Sequence, residues 1–206
     1  MKMRLVIILV LSLALGLAGA CGGGGGGGGN SLSKDDIIIM LGNSITHRGD
    51  WAGLFPDNTI LNYGKDGDLT SGMLSRLSSA LSKGPKVICI MGGINDIIRG
   101  ISVATAYSNL RQVVVRSKAA GVIVIVQSTL HTGAGYPNSA SINVKVSQLN
   151  ELLSALASEQ SATWLNLNSS MAADGYLKVE FLLSDNLHLN GDGYVHWADR
   201  LNSALP

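Results

Sequence analysis

Four short stretches carry the residues able to do chemistry. Gly42-Asn43-Ser44-Ile45-Thr46 offers a hydroxyl, and Asn62-Tyr63-Gly64-Lys65-Asp66-Gly67-Asp68-Leu69-Thr70 offers glycine turns. Gly92-Gly93-Ile94-Asn95-Asp96 offers a primary amide, and Asp185-Asn186-Leu187-His188 sets a carboxylate three residues before an imidazole. A serine becomes a nucleophile only when a base takes its proton, and a carboxylate can hold that base in one tautomer. A glycine-turn N–H and an asparagine amide can stabilise an oxyanion. Together these are the parts of a serine hydrolase. Each also has a plainer use: Ser44 could cap a helix, and Asp185 could cap the terminal helix with His188 packed on its first turn.

Chemistry of this kind requires that the four stretches meet. Ile37-Ile38-Ile39-Met40-Leu41 is a short β-branched run suited to a strand buried on both faces, predicted over 36–41, and Gly42 ends it. Further strands are predicted over 58–63, 86–91, 122–127 and 163–167. Helices are predicted over 69–82, 103–120, 143–159 and 190–204. Strand and helix alternate, which gives an α/β fold: a three-layer α/β/α sandwich with a doubly wound parallel five-stranded sheet in flavodoxin-like order. Ligands in such sheets bind beyond the carboxyl ends of the strands. The first three stretches all follow strands and open onto that edge.

The chain begins with a basic Met1-Lys2-Met3-Arg4, an apolar Leu5 to Leu17 and a small Ala18-Gly19-Ala20 before Cys21. This pattern is an export signal, too short to span a membrane. It resembles a bacterial lipobox, which implies removal of residues 1–20 and acylation of Cys21, although Ala18 stands where leucine is usual. Two acyl chains would anchor the protein stably to a membrane. Gly22 to Gly29 cannot bury apolar surface and reads, with residues up to 33, as a flexible tether. No acidic residue closely follows Cys21; by likeness to Gram-negative lipoproteins, this implies the outer membrane of the cell envelope. The remaining residues, 34–206, suffice for one good core.

Composition excludes other classes. Removing Lys2 and Arg4 leaves 13 basic against 14 acidic residues, so the formal charge moves from +1 to −1. A nearly neutral surface offers nucleic acid no footprint. No His, Cys, Asp and Glu set has metal-binding spacing, so no metal and no cofactor is expected. With Cys21 acylated, Cys89 stands alone inside Val87-Ile88-Cys89-Ile90-Met91 and reads as an inert core residue.

Over residues 36–206 the chain resembles the SGNH (GDSL-type) hydrolases, a lipase/acylhydrolase family. The four blocks carry the likeness in order. The resemblance implies Ser44 as nucleophile, His188 as base and Asp185 as its orienting acid. It implies an oxyanion hole from the Ser44 and Gly67 amides and the Asn95 side chain; Gly64 is the rival glycine, but the spacing to Leu77 favours Gly67. Gly193-Tyr194 and Trp197-Ala198 fit the helix that usually follows. The first block departs from Gly-Asp-Ser, since Asn43 replaces the aspartate, which puts the hydrogen bonding of the turn in doubt. An α/β-hydrolase elbow would need glycine where Thr46 stands.

The activity implied is a serine esterase acting on a small ester through an acyl-enzyme. Lysophospholipid, thioester, short-chain ester and acetylated sugar all remain open as substrates. A non-catalytic envelope lipoprotein binding glycan or a partner is the contrasting class. The absence of a long insertion favours an open cleft and short acyl groups. His47 reads as a surface or cleft-rim residue. His131 defaults to an exposed loop histidine on a stretch able to line the cleft, and His196 reads as helix surface. Asp68 and Asp96 are expected to hold their loops rather than to move protons.

Overall fold

The computed structural model describes residues 32–206. The export signal, Cys21 and most of the tether lie outside them. β1 (Ile37–Gly42) leads through two one-turn helices, α1 (Ser44–His47) and α2 (Trp51–Leu54), to β2 (Thr59–Gly64). Then follow α3 (Thr70–Leu81), β3 (Val87–Met91), α4 (Ile94–Ile98), α5 (Val103–Ala119), β4 (Ile123–Gln127), α6 (Ser139–Glu159) and β5 (Thr163–Leu165). The chain ends with α7 (Asn168–Met171), a two-residue hairpin of β6 (Ala172–Ala173) and β7 (Tyr176–Leu177), a 3-10 turn (Val179–Phe181) and α8 (Gly191–Asn202).

The five long strands are parallel, in the order β2-β1-β3-β4-β5. This is the doubly wound, flavodoxin-like sheet expected from the alternation. Ile38, Ile39, Met40 and Leu41 of β1 and Val87, Ile88 and Cys89 of β3 are fully buried. Successive side chains point to opposite faces, so both faces of these strands are covered. α3, α5 and α6 pack side by side, while α8 packs with α2. Burial holds the Cys89 thiol far above its ordinary range, as befits an inert core residue.

Register delivers the site. Gly42 pairs with Gly64 of β2 and with Met91 of β3, so three neighbouring strands stop at one level. The chains leaving them carry Ser44, Gly67 and Asn95.

The observed elements depart from expectation mostly at their ends. α6 starts at Ser139, four residues before Asn143, because Asn138 turns the chain in a left-handed conformation and Ser139 and Ile142 continue the buried stripe. Small polar residues there mask the helical period. β5 stops at Leu165, because Ser128 Oγ accepts from the Leu167 amide (2.9 Å) and draws the chain into α7. Asn95 stands in the short helix α4 rather than in a loop.

Gly42 shows how tightly β1 ends. A Cβ placed there would lie 2.6 Å from the Met91 carbonyl oxygen and 2.7 Å from Thr46 Cβ. Gly42→Ala should therefore destabilise the domain by about 1–3 kcal/mol, the usual cost of overpacking. Urea unfolding checks this, and an unchanged midpoint contradicts the close approach.

Candidate active site

Ser44 is the first residue of α1 and is nearly buried. It does not cap that helix. Asn43 does, its Oδ1 accepting from the Ile45 amide (3.0 Å). The other end of α1 is held from outside: Tyr194 Oη donates to the Ile45 carbonyl and Trp51 Nε1 to the Thr46 carbonyl, both at 2.8 Å. A four-residue helix has too few internal hydrogen bonds to persist alone. These outside partners fix it, and burial keeps the Tyr194 hydroxyl protonated as a donor.

His188 Nε2 lies 3.0 Å from Ser44 Oγ, across 144 residues of chain. Its Nδ1 lies 2.6 Å from Asp185 Oδ2. With Nδ1 donating to the carboxylate, Nε2 is free to accept the serine proton. Asp185 Oδ1 accepts from the amides of Leu187 and His188 at 3.0 and 2.9 Å. Asp185 therefore does not cap α8; Asn190 does, through the Gly193 amide. Burial pushes the Asp185 carboxyl up, but the His188 and Leu187 hydrogen bonds and the His188 charge outweigh it and bring it down to about 2.

The second and third stretches are knitted to each other. Asn95 Nδ2 donates to the Asp68 carbonyl (2.9 Å). The buried Asp96 carboxylate accepts from Thr70 N at 3.0 Å and Thr70 Oγ1 at 2.7 Å. α3 has no capping side chain of its own, so Asp96 caps it from the first turn of α4. Asp68 pairs with Arg76 at 2.8 Å. Both aspartates thus hold loops, as expected. Gly67 adopts a left-handed φ of 66°, which a side chain would strain. No group among the described residues accepts from the Ser44 or Gly67 amides. The Gly64 amide, by contrast, already donates to Asn62 Oδ1 (2.9 Å).

The remaining histidines divide. His47 is exposed, as expected. His131 is half-buried rather than exposed: its Nε2 lies 3.1 Å from Ser147 Oγ, and burial lowers its pKa. It lines a cavity of about 630 Å³ with Trp164 and Asn150, which includes none of the four stretches. Its loop instead supports the His188 turn, with the Gly133 amide donating to the Asn186 carbonyl (2.8 Å). His196 is not free surface either. It meets Ser170 Oγ at 2.8 Å and packs on Phe181, tying α8 to α7. Sequence reasoning missed Arg76 and the Tyr194 and Trp51 contacts. The available signal for Arg76 was a charge beside the buried stripe Met73, Leu77 and Ala80 of α3.

The lowered Asp185 pKa has a pH consequence. Its contribution to stability is whole above its ordinary value of 3.8 and is lost as pH falls towards about 2. Because Asp185 is 46% exposed, the size is modest. Acid unfolding followed with and without Asp185→Asn should show the two proteins converging in stability below about pH 2. A constant gap down to that pH contradicts the linkage.

Comparison with known proteins identifies the family and the fold. A model of the GDSL-like Lipase/Acylhydrolase family matches residues 40–196. The fold is similar to a lipase/acylhydrolase from Enterococcus faecalis, with TM-score 0.71 and 23% identity over 81% of this chain and 93% of that one. It is also similar to a GDSL-like lipase from Bacteroides thetaiotaomicron, with TM-score 0.70 and 20% identity over 86% and 91%. The acetyl xylan esterase AlAXEase gives TM-score 0.72 and 18% identity over 82% and 100%. No curated protein matches the chain by sequence. The chain belongs to the GDSL-like lipase/acylhydrolase family and is a hydrolase acting on esters.

Proposed function

We propose that the chain is a serine esterase in which Ser44, His188 and Asp185 form the catalytic triad. The continuous hydrogen-bonded line from Ser44 Oγ through His188 to Asp185, at 3.0 and 2.6 Å, carries this reading. Ser44 Oγ attacks the ester carbonyl while His188 Nε2 takes its proton. The negative charge that develops on the carbonyl oxygen is met by the Ser44 and Gly67 amides and the Asn95 side-chain amide. The unengaged Gly67 amide and the engaged Gly64 amide favour Gly67 over its rival. His188 then protonates the departing alcohol. Water, deprotonated by His188, attacks the acyl-enzyme and regenerates Ser44. Asp185 orients His188 and stabilises its charged form throughout.

The substrate is a short-chain ester. The connections that leave β1, β2 and β3 for the next helix, residues 43, 65–69 and 92–93, are short and carry no inserted lid, which supports an open cleft. The acetyl xylan esterase among the similar structures makes O-acetylated sugars a natural test substrate. A p-nitrophenyl panel from acetate to palmitate, with an acetylated oligosaccharide beside it, should show turnover falling as the acyl chain lengthens. Preference for palmitate overturns the short-chain assignment.

Ser44→Ala and His188→Ala should each abolish most turnover, with the double variant hardly worse, because residues acting as a unit are non-additive. Asn95→Ala should lower kcat by about 10²–10³ with the fold intact. Rates are taken per folded molecule, beside the Tm of each variant. A folded His188→Ala protein with wild-type kcat removes the triad.

The same protein is proposed to be an exported lipoprotein, with residues 1–20 cleaved, Cys21 acylated, residues 21–33 as tether and 34–206 as the catalytic domain held at the cell envelope, on the outer membrane if the cell is Gram-negative. The lipobox-like Ala18-Gly19-Ala20-Cys21 supports this. Cys21→Ser should lose acyl label and membrane retention. Equal labelling of the variant sinks the anchor.

A further inference from the structure

We propose that Arg76 is the positioning residue of the oxyanion hole, one guanidinium that fixes all three donor loops at their working distances. It resides on α3, away from the triad, and each of its three guanidinium nitrogens is engaged. Nε donates to Asp68 Oδ2 (2.8 Å), Nη2 to the Gly42 carbonyl (2.7 Å) and Nη1 to the Tyr63 carbonyl. Gly42 stands two residues before Ser44. Tyr63 is the penultimate residue of β2, the strand from which the Gly67 loop departs. Asp68 follows Gly67 directly, and its own carbonyl receives the Asn95 side chain at 2.9 Å. Each proposed oxyanion donor is therefore within two bonded residues, or one hydrogen bond, of a group that Arg76 or its partner Asp68 holds.

This arrangement exceeds what folding requires. The guanidinium and carboxylate are 21% and 7% exposed, so the pair is largely removed from water. Buried ion pairs can commonly be replaced by apolar residues with no loss of stability. What an apolar pair could not do is grip two strand-end carbonyls and the Gly67–Asp68 turn from one rigid plane. A lysine keeps the charge but offers a point rather than a fork, so it cannot span these acceptors together. Donors aligned to the transition state are sensitive to this: a displacement of about 1 Å can cost on the order of 10² in rate. Misalignment acts on the developing oxyanion, so it lowers kcat and leaves KM nearly unchanged.

The proposal rests on the oxyanion assignment above, and the experiment separates the two. Arg76→Lys, Arg76→Leu, the pair replacement Asp68→Asn with Arg76→Leu, and Asn95→Ala are compared with wild type on p-nitrophenyl acetate. For each, kcat, KM and Tm are measured per folded molecule. Arg76→Lys is expected to recover most of the Tm lost in Arg76→Leu, yet to keep kcat down by tenfold or more with KM within twofold. Should Arg76→Leu fail to fold, the pair replacement, which leaves no unpaired buried carboxylate, is expected to fold and to show the same kcat loss. Wild-type kcat in the folded pair replacement or in Arg76→Lys, beside an impaired Asn95→Ala, overturns the role of Arg76 and leaves the oxyanion hole standing. Wild-type kcat in Asn95→Ala overturns both.

Discussion

The carbonyl of Gly42 is the point on which the working edge of this protein depends. It closes β1, the strand between β2 and β3, and it accepts from two donors at once: the Lys65 amide at 3.1 Å and Arg76 Nη2 at 2.7 Å. The first ties β1 to the chain leaving β2; the second ties it to a half-buried cation on α3. Neither approach is open to a bulkier residue, because Thr46 and the Met91 carbonyl already crowd the missing side chain. A strand end so held sends the chain out in one direction only. Ser44 inherits its place from that direction, and the loops carrying Gly67 and Asn95 inherit theirs from the register of β2 and β3 with the same glycine.

The proposed nucleophile and its proposed base share a support on the opposite side. α8 follows His188 within a few residues, and from it Tyr194 reaches back to the Ile45 carbonyl. Trp197, on the same helix, packs edge-on against Trp51 at 4.8 Å, and Trp51 holds the Thr46 carbonyl. Trp197 also reaches the sheet, its Nε1 donating to Gln127 Oε1 at 2.6 Å. Any movement of α8 therefore carries the Ser44 turn with it. Aromatic packing of this kind adds about 0.5–1.5 kcal/mol per pair beyond area burial, and it is directional. The 3.0 Å contact between residues 144 apart is kept by one cluster that touches both ends of it.

Much of this was legible because it rests on local signals. The runs in β1, β3 and β4 are β-branched, unbroken and buried on both faces, so composition alone identifies them. The four polar stretches follow strand ends or precede a helix, where residue type and spacing state the chemistry directly. Less legible were features whose cause lies elsewhere in the chain. Leu167 leaves the fifth strand for a hydroxyl on Ser128, and Asp96 caps a helix that begins 26 residues before it. His131 and His196 were read as exposed, but each meets a serine from a segment that periodicity cannot bring near. Arg76 left only a faint trace, a charge at the margin of a buried stripe, whose meaning required three partners from two strand ends and a turn.

The replacement of the usual aspartate by Asn43 can be understood from the same charges. The side chain is wholly buried, and only its oxygen is used, by the Ile45 amide. Its Nδ2 has no partner among the described residues. An orphaned amide of this kind costs about 1–3 kcal/mol. Against that cost stands what a carboxylate would bring: a buried negative charge next to the residue proposed to carry the oxyanion, with one recorded donor to stabilise it. The other carboxylates at this edge are balanced, Asp68 by Arg76 and Asp96 by Thr70 and the first turn of α3. Arg76 already serves Asp68 and the Gly42 and Tyr63 carbonyls, and no contact joins it to Asn43. Asn43 keeps the cap that α1 requires and leaves the electrostatics of the edge to the pair that is neutral overall.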